Sequence, residues 1–231
     1  MGEAQIIDQV PPDRVKEVEA QGFQIFTWIR GGFPGNAIIN ASIFPTDDVR
    51  VRQAMIYGFD YEKMDRTITY GYFPPSRNFL SETTMFYDPA CELYEYDPAK
   101  AIALLEEAGW TEINADGYRV KDGKVLEMLL YVQPPVQAVQ ISEAFQFDMK
   151  QIGIKINAEV ISGRLHYSIG DEGSTVNMSD LGGGHPDPGL LFKSWYHSEG
   201  ANYSHFANEY TDGLIDAGLA TNNLEERQKI Y

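Results

Sequence analysis

Cysteine is almost missing from this chain: Cys91 is the only one in 231 residues. That excludes an internal disulfide and a cysteine-based zinc cage, and it leaves the redox compartment unreadable. Positive charge is also scarce, with 18 basic against 34 acidic residues and a formal net charge of −16. No lysine or arginine cluster offsets the deficit, so nucleic acid and anionic lipid are repelled and are not expected partners. No run approaches the roughly 18 apolar residues of a membrane span. The opening Met1-Gly2-Glu3-Ala4 has neither the basic region nor the apolar core of a signal peptide. There is no GxSxG, no HExxH, no Walker loop and no dinucleotide fingerprint. There is no internal repeat and no low-complexity linker.

What remains is ordinary for a globular protein: 43% hydrophobic and 23% charged residues. The length suffices for one large domain or two small ones. A strand is expected at 5–8. A helix follows, opened by Pro11-Pro12-Asp13 and stopped at Gly22. Apolar and aromatic residues over 23–29 predict a strand, and 37–43 predicts another. Two acids, Asp47 and Asp48, open a helix with Val51, Ala54, Met55 and Gly58 inward. Asp60 caps a short helix over 61–68. Residues 69–95 form a long aromatic loop whose rings argue for packing. Asp97, Pro98 and Gly109 delimit the clearest helix, 97–108. The Asp116-Gly117 and Asp122-Gly123 turns bracket a strand at 118–120. Another at 125–132 is apolar on both faces and should be central. A second strong helix spans 136–152. Alternation at Ile154, Ile156, Ala158 and Val160 predicts a half-buried strand. A helical turn at 164–169 and a strand at 176–181 follow. Asn208 caps a helix to about 220, with Leu214, Ile215 and Leu219 inward. The whole reads as one α/β domain. Asn223-Leu224-Glu225-Glu226 opens a further helix only two turns before the last residue, so a fragment of a longer protein is expected.

The chain is organised around residues 181–206, LGGGHPDPGLLFKSWYHSEGANYSHF. Three glycines, Gly182, Gly183 and Gly184, allow close backbone approach. Pro186 and Pro188 stiffen the turn that follows. A strand, a Gly-rich turn and a helix in succession are where open α/β sheets place ligands. Two readings stand: a cleft wall that meets a small molecule, or a turn packed under its own aromatics. Of the four histidines, His185, His197 and His205 lie here with Asp187. A metal site on these four residues, as in a metal-dependent hydrolase, is the enzymatic alternative. Hydrogen-bonded loop histidines are the other reading of the same residues. A module that only interacts through its acidic surface is a third function class. Arg50 and Arg52 are expected to pair with nearby acids.

Several segments in order resemble one family. DDVRVRQAMIYGFDYEKM (47–64), YDPAKAIALLEEAGW (96–110), FDMKQIGIKI (147–156) and HPDPGLLFKSWYHSEGANYSHFANEYTDGLI (185–215) are similar to the solute-binding proteins of peptide-type ABC transporters. The resemblance runs from about residue 6 to 231. It implies one α/β lobe, 1–231, of a type II periplasmic-binding-protein-like fold, with a mixed sheet flanked by helices. It implies a cleft shared with another lobe, no catalysis, no cofactor and an extracytoplasmic location, periplasmic or lipid-anchored. A small-molecule or peptide ligand and a membrane ABC permease would be the partners. In similar peptide binders an aspartate just before the turn holds the ligand's amino group, and Gly184 stands at that position here. A tryptophan usual two or three residues earlier is replaced by Leu181 or Gly182. The resemblance therefore implies ligand contacts at Gly182, Gly183, Gly184 and His185, with Arg164 and Tyr167 from the preceding segment and Tyr72 or Arg77 from the long loop. It also implies a neutral or hydroxyl-rich solute rather than a peptide held by its ammonium group.

Overall fold

A computed structural model describes residues 6, 10–91, 94–133, 136–161, 176–179 and 184–231. In its first half the elements are α1 (Val15–Ala20), β1 (Asn36–Ile39), α2 (Val49–Tyr57), α3 (Tyr61–Met64) and α4 (Pro98–Glu107). A small meander follows: β2 (Glu112–Ile113), β3 (Arg119–Lys121) and β4 (Lys124–Val125). Then come β5 (Glu127–Val132), α5 (Val136–Gln151), β6 (Lys155–Val160), β7 (Val176–Ser179), α6 (Gly189–Trp195), α7 (Glu209–Ala220) and α8 (Leu224–Ile230). The main sheet is mixed, in the order β1-β7-β5-β6. Its β5 is parallel to both β6 and β7, while β1 runs antiparallel to β7.

Residues apolar on both faces suit a strand with neighbours on each side, and β5 occupies that interior position. Met128, Leu130 and Val132 from β5 are buried with Val51 and Met55 of α2, Leu105 of α4 and Met149 of α5. Gly58, directly after α2, admits Ile152 so closely that a Cβ there would lie 2.6 Å from its Cδ1. Arg119 fastens the meander to this core. Its Nε donates to the Ile152 carbonyl at 2.9 Å and its Nη1 to the Trp110 carbonyl at 2.6 Å.

A second cluster joins the long loop to α6. Phe33, Leu80 and Leu191 are buried there, with Phe192, Trp195 and Tyr196 packed around them. The Phe33 ring lies 5.5 Å from those of Phe192 and Tyr196, and Phe79 lies 4.8 Å from Tyr196. The aromatic loop is thus packed in part, around Leu80 and Tyr87, while Tyr70 and Phe73 near its start are each 56% exposed.

Five expectations are corrected. Residues 23–29 form no strand among the described residues: they are irregular, and Phe26 and Trp28 are 76% and 75% exposed. Their composition suits a strand, but no free sheet edge pairs with them. The strand expected at 37–43 ends at Ile39, because Asn40 turns its side chain back to accept from the backbone N–H and hydroxyl of Ser42. The helix expected over 61–68 changes pitch after Met64 into a π-helical turn, Asp65–Thr69. There Thr67 and Thr69 donate back to the carbonyls of Lys63 and Asp65. On α7 it is Gly218, not Leu219, that faces inward, since the Tyr231 ring packs onto it. Val160 is exposed as well, because it ends an edge strand. The strand at 5–8 and the turn at 164–169 fall mainly or wholly outside the described residues.

Candidate functional site

The turn His185-Pro186-Asp187-Pro188 is seated from behind. The Asp187 carboxylate accepts from the Gly189 N–H at 2.9 Å and from both terminal nitrogens of Arg227 at 2.7 Å. The Arg227 guanidinium is sandwiched near the Phe86 and Tyr231 rings, 4.9 and 5.2 Å from their centroids. This bidentate contact holds the Asp187 carboxyl below the usual carboxylate range and raises the Arg227 pKa. Gly189 is required here: a Cβ would lie 2.9 Å from the Arg227 Nη2 and 2.7 Å from the Tyr231 hydroxyl. Asp187 therefore locks the turn to α8 and is spent on that contact.

Three stretches of chain meet in front of this base. The Ser81 hydroxyl donates to the Arg30 carbonyl at 2.7 Å, and its N–H donates to the Gly32 carbonyl at 2.9 Å. The Gly32 N–H donates to the Thr84 hydroxyl at 2.6 Å, and the Thr83 hydroxyl donates to the Ile29 carbonyl at 3.2 Å. Met85 then donates its N–H to the Pro186 carbonyl at 2.9 Å, which ties the 81–85 segment to the turn. Gly184 and His185 are exposed at the front of this junction. A Cβ on Gly184 would lie 2.4 Å from the Nε of Arg30 and 2.5 Å from its Nη2. The bare backbone of Gly184 is what makes room for that guanidinium. Arg30 was not among the residues singled out in the sequence. The only local signal is the Arg30-Gly31-Gly32 run, which reads as a plain turn.

Of the expected contact residues, Gly182, Gly183, Arg164 and Tyr167 lie outside the described residues. Arg77 is engaged elsewhere, pairing with Glu62 at 2.7 Å and Glu95 at 3.3 Å. It lines a surface cleft of about 410 Å³ with Arg66, Tyr94 and Tyr96. Tyr61, also on this cleft, has its hydroxyl pKa pushed up to about 12 by burial. Tyr72 is half-buried in the turn after the π-helix, its N–H donating to the Thr69 carbonyl at 2.9 Å.

The four residues of the metal alternative do not form a donor set. Asp187 belongs to Arg227. His197 is buried, its Nδ1 accepting from the Glu199 N–H at 3.1 Å and its Nε2 lying 2.9 Å from the Lys193 Nζ and 3.3 Å from Asp216. His197 thus braces α6 against α7. Among the described residues, no group of three or more His, Cys, Asp or Glu could hold a metal ion. Arg50 pairs with Asp48 as expected, but Arg52 donates to the backbone carbonyls of Thr46 and Asp47 instead of to an acid. No helix among the described residues is long and apolar enough to cross a membrane.

The family model for bacterial extracellular solute-binding proteins, family 5 middle, matches residues 1–203. The chain is 27% identical over 201 residues to heme-binding protein A of Haemophilus influenzae, covering 83% of this chain and 35% of that protein. It is 28% identical over 197 residues to the dipeptide-binding protein of Escherichia coli, covering 81% and 35%. It is also similar to the nickel-binding periplasmic protein of Escherichia coli, 26% identical over 216 residues that cover 84% and 38%. The chain thus spans little more than a third of the length of these curated relatives. Among solved structures, NikA from Brucella suis in complex with Fe(III)-EDTA superposes with a TM-score of 0.82 at 22% identity, over 96% of this chain and 46% of that one. The oligopeptide-binding protein AppA from Bacillus subtilis, in complex with a nonapeptide, gives the same values. These likenesses show the fold: an α/β lobe of the periplasmic-binding-protein type, as the sequence resemblance implies.

Proposed function

We propose, from the premise that this chain belongs to the bacterial extracellular solute-binding proteins of family 5, that residues 1–231 form one α/β lobe of the substrate-binding component of an ABC importer. Its work is capture and delivery of a small solute to a membrane permease, without catalysis, outside the cytoplasm. The observation that carries this reading is the seating of the 184–188 turn. Asp187, Arg227 and Met85 satisfy the turn from behind and from the side, while Gly184 and His185 stay exposed. A rigid base under an exposed backbone edge is suited to meeting a ligand. The relatives are named for heme, a dipeptide and nickel, so no single cargo transfers to this chain by name. Oligopeptides and related small solutes such as oligosaccharides are the class proposed.

Titration calorimetry of the full-length protein against di- to pentapeptides and oligosaccharides tests this. At least one solute is expected to bind saturably at micromolar concentration or below, about −8 kcal/mol or more favourable. Failure of every solute in both series would remove the reading.

A further inference from the structure

We propose that Arg30 is a solute-contacting residue, and that the solute presents a carboxylate or comparable anionic oxygen group to the surface formed by Arg30 and Gly184. This rests on the solute-binding reading above and deepens it. The glycine at 184 predicts a neutral contact when the sequence is read alone. The fold instead lays a guanidinium directly over it, with Nε, Nη2 and Cζ within 2.8 Å of where a Cβ would stand. The sign of the local charge is therefore set by a residue far away in sequence.

Arg30 is held from both sides. Its own carbonyl is bonded to Ser81, Ile29 to Thr83 and Gly32 to Thr84. The opposite wall is bonded through Met85 to Pro186. The backbone that carries the guanidinium is thus fixed before any ligand arrives, which lowers the ordering cost of binding.

Among the described residues Arg30 makes no ion pair and donates no side-chain hydrogen bond, in a chain with an excess of acids. By contrast Arg14, Arg50, Arg77, Arg119 and Arg227 each pair with a carboxylate. Among the described residues Arg52 and Arg66 also make no ion pair, but Arg52 donates to the carbonyls of Thr46 and Asp47, and Arg66 lines the cleft that Asp60, Glu62 and Glu95 share. A planar guanidinium with free donors recognises a carboxylate or phosphate-like oxygen pair in a fork, and a lysine at this place would not. Because Arg30 is exposed, the contact is weak in open water and gains strength when the bound solute and the rest of the protein cover it.

The test uses the full-length protein and matched solutes. Peptides are titrated as free acids and as C-terminal amides, and uronic-acid oligosaccharides against their neutral counterparts. The anionic member of a binding series is expected to be tighter by about 10-fold or more, the scale of one charge-assisted contact. Arg30→Gln should bring the anionic member down to the affinity of its neutral counterpart. Gly184→Asp should do the same, by placing a carboxylate within reach of Arg30. Equal melting temperatures of wild type and Arg30→Gln establish that the change is local. Wild-type preference for the neutral members, or an anion preference that survives both variants, overturns the proposal. Solutes that bind without preference overturn it while leaving the solute-binding reading intact. If no solute binds, the solute-binding reading falls and takes this inference with it.

Discussion

At the scale of residues, Asp187 and Arg227 are the ion pair that matters most for the site. The Arg227 side chain is 11% exposed and that of Asp187 46%, so the pair lies between the exposed and the buried limits. Breaking an exposed pair costs under about 1 kcal/mol, and breaking a buried one about 3–5 kcal/mol. Arg227→Ala also empties the slot between Phe86 and Tyr231. It is expected to cost about 2 kcal/mol in urea unfolding, after allowance for solvent screening at Asp187. The pH dependence has a definite sign. The Asp187 pKa is lowered in the folded chain by the Arg227 hydrogen bonds. Its contribution is therefore complete above the unfolded carboxylate value of about 4, and is lost as pH falls through the lower folded value. Asp187→Asn should lower stability at neutral pH and flatten the loss below about pH 4. Asp48, also held low by its arginine neighbour, keeps part of that slope. An unchanged acid limb in the variant would show that Asp187 does not couple to folding.

At the scale of elements, helix ends were legible in the sequence because caps are local chemistry. Asp48, Asp60, Asp97, Asn208 and Asn223 each accept from a backbone N–H in the first turn of the helix they precede. Glycines follow α1, α2, α4 and α5, and two of them separate backbone freedom from packing. Gly22 after α1 and Gly153 after α5 have φ of +89° and +86°. Nothing lies within 4 Å of a Cβ built on Gly22, whereas one on Gly153 would lie 2.6 Å from the Arg119 Cγ. Gly22→Ala should cost only the left-handed penalty, about 1–2 kcal/mol. Gly153→Ala should cost about 1 kcal/mol or more beyond that, because it displaces the arginine that holds the meander. Thermal unfolding of the two variants measures the difference, and equal losses would show that Arg119 moves without cost. Strands were read less well than helices. A strand needs a partner, and the apolar run at 23–29 has the composition of one but pairs with neither edge of the main sheet, β1 or β6.

At the scale of the whole molecule, the chain spans a little over a third of its curated relatives. A site shared between lobes takes affinity from both, since burying most of the ligand surface needs opposing walls. The 231-residue chain alone is therefore expected to bind any solute of the full-length protein at least about 10-fold more weakly by calorimetry. Equal affinities would mean that this lobe holds a complete site. The residues themselves determined the α/β class, the capped helices, the interior place of β5 and the family resemblance. Each of these depends on local bonding, periodicity or spacing along the chain. They also marked the Gly-rich turn as the place to look. Only the tertiary structure decided what that turn presents. It placed Asp187 on Arg227, 40 positions away, where it anchors the turn to α8. It also laid the Arg30 guanidinium over Gly184, a neighbour that the glycine alone did not announce. Contacts between residues so distant in sequence follow from how packed elements bring them together, and no local pattern encodes the charge that results.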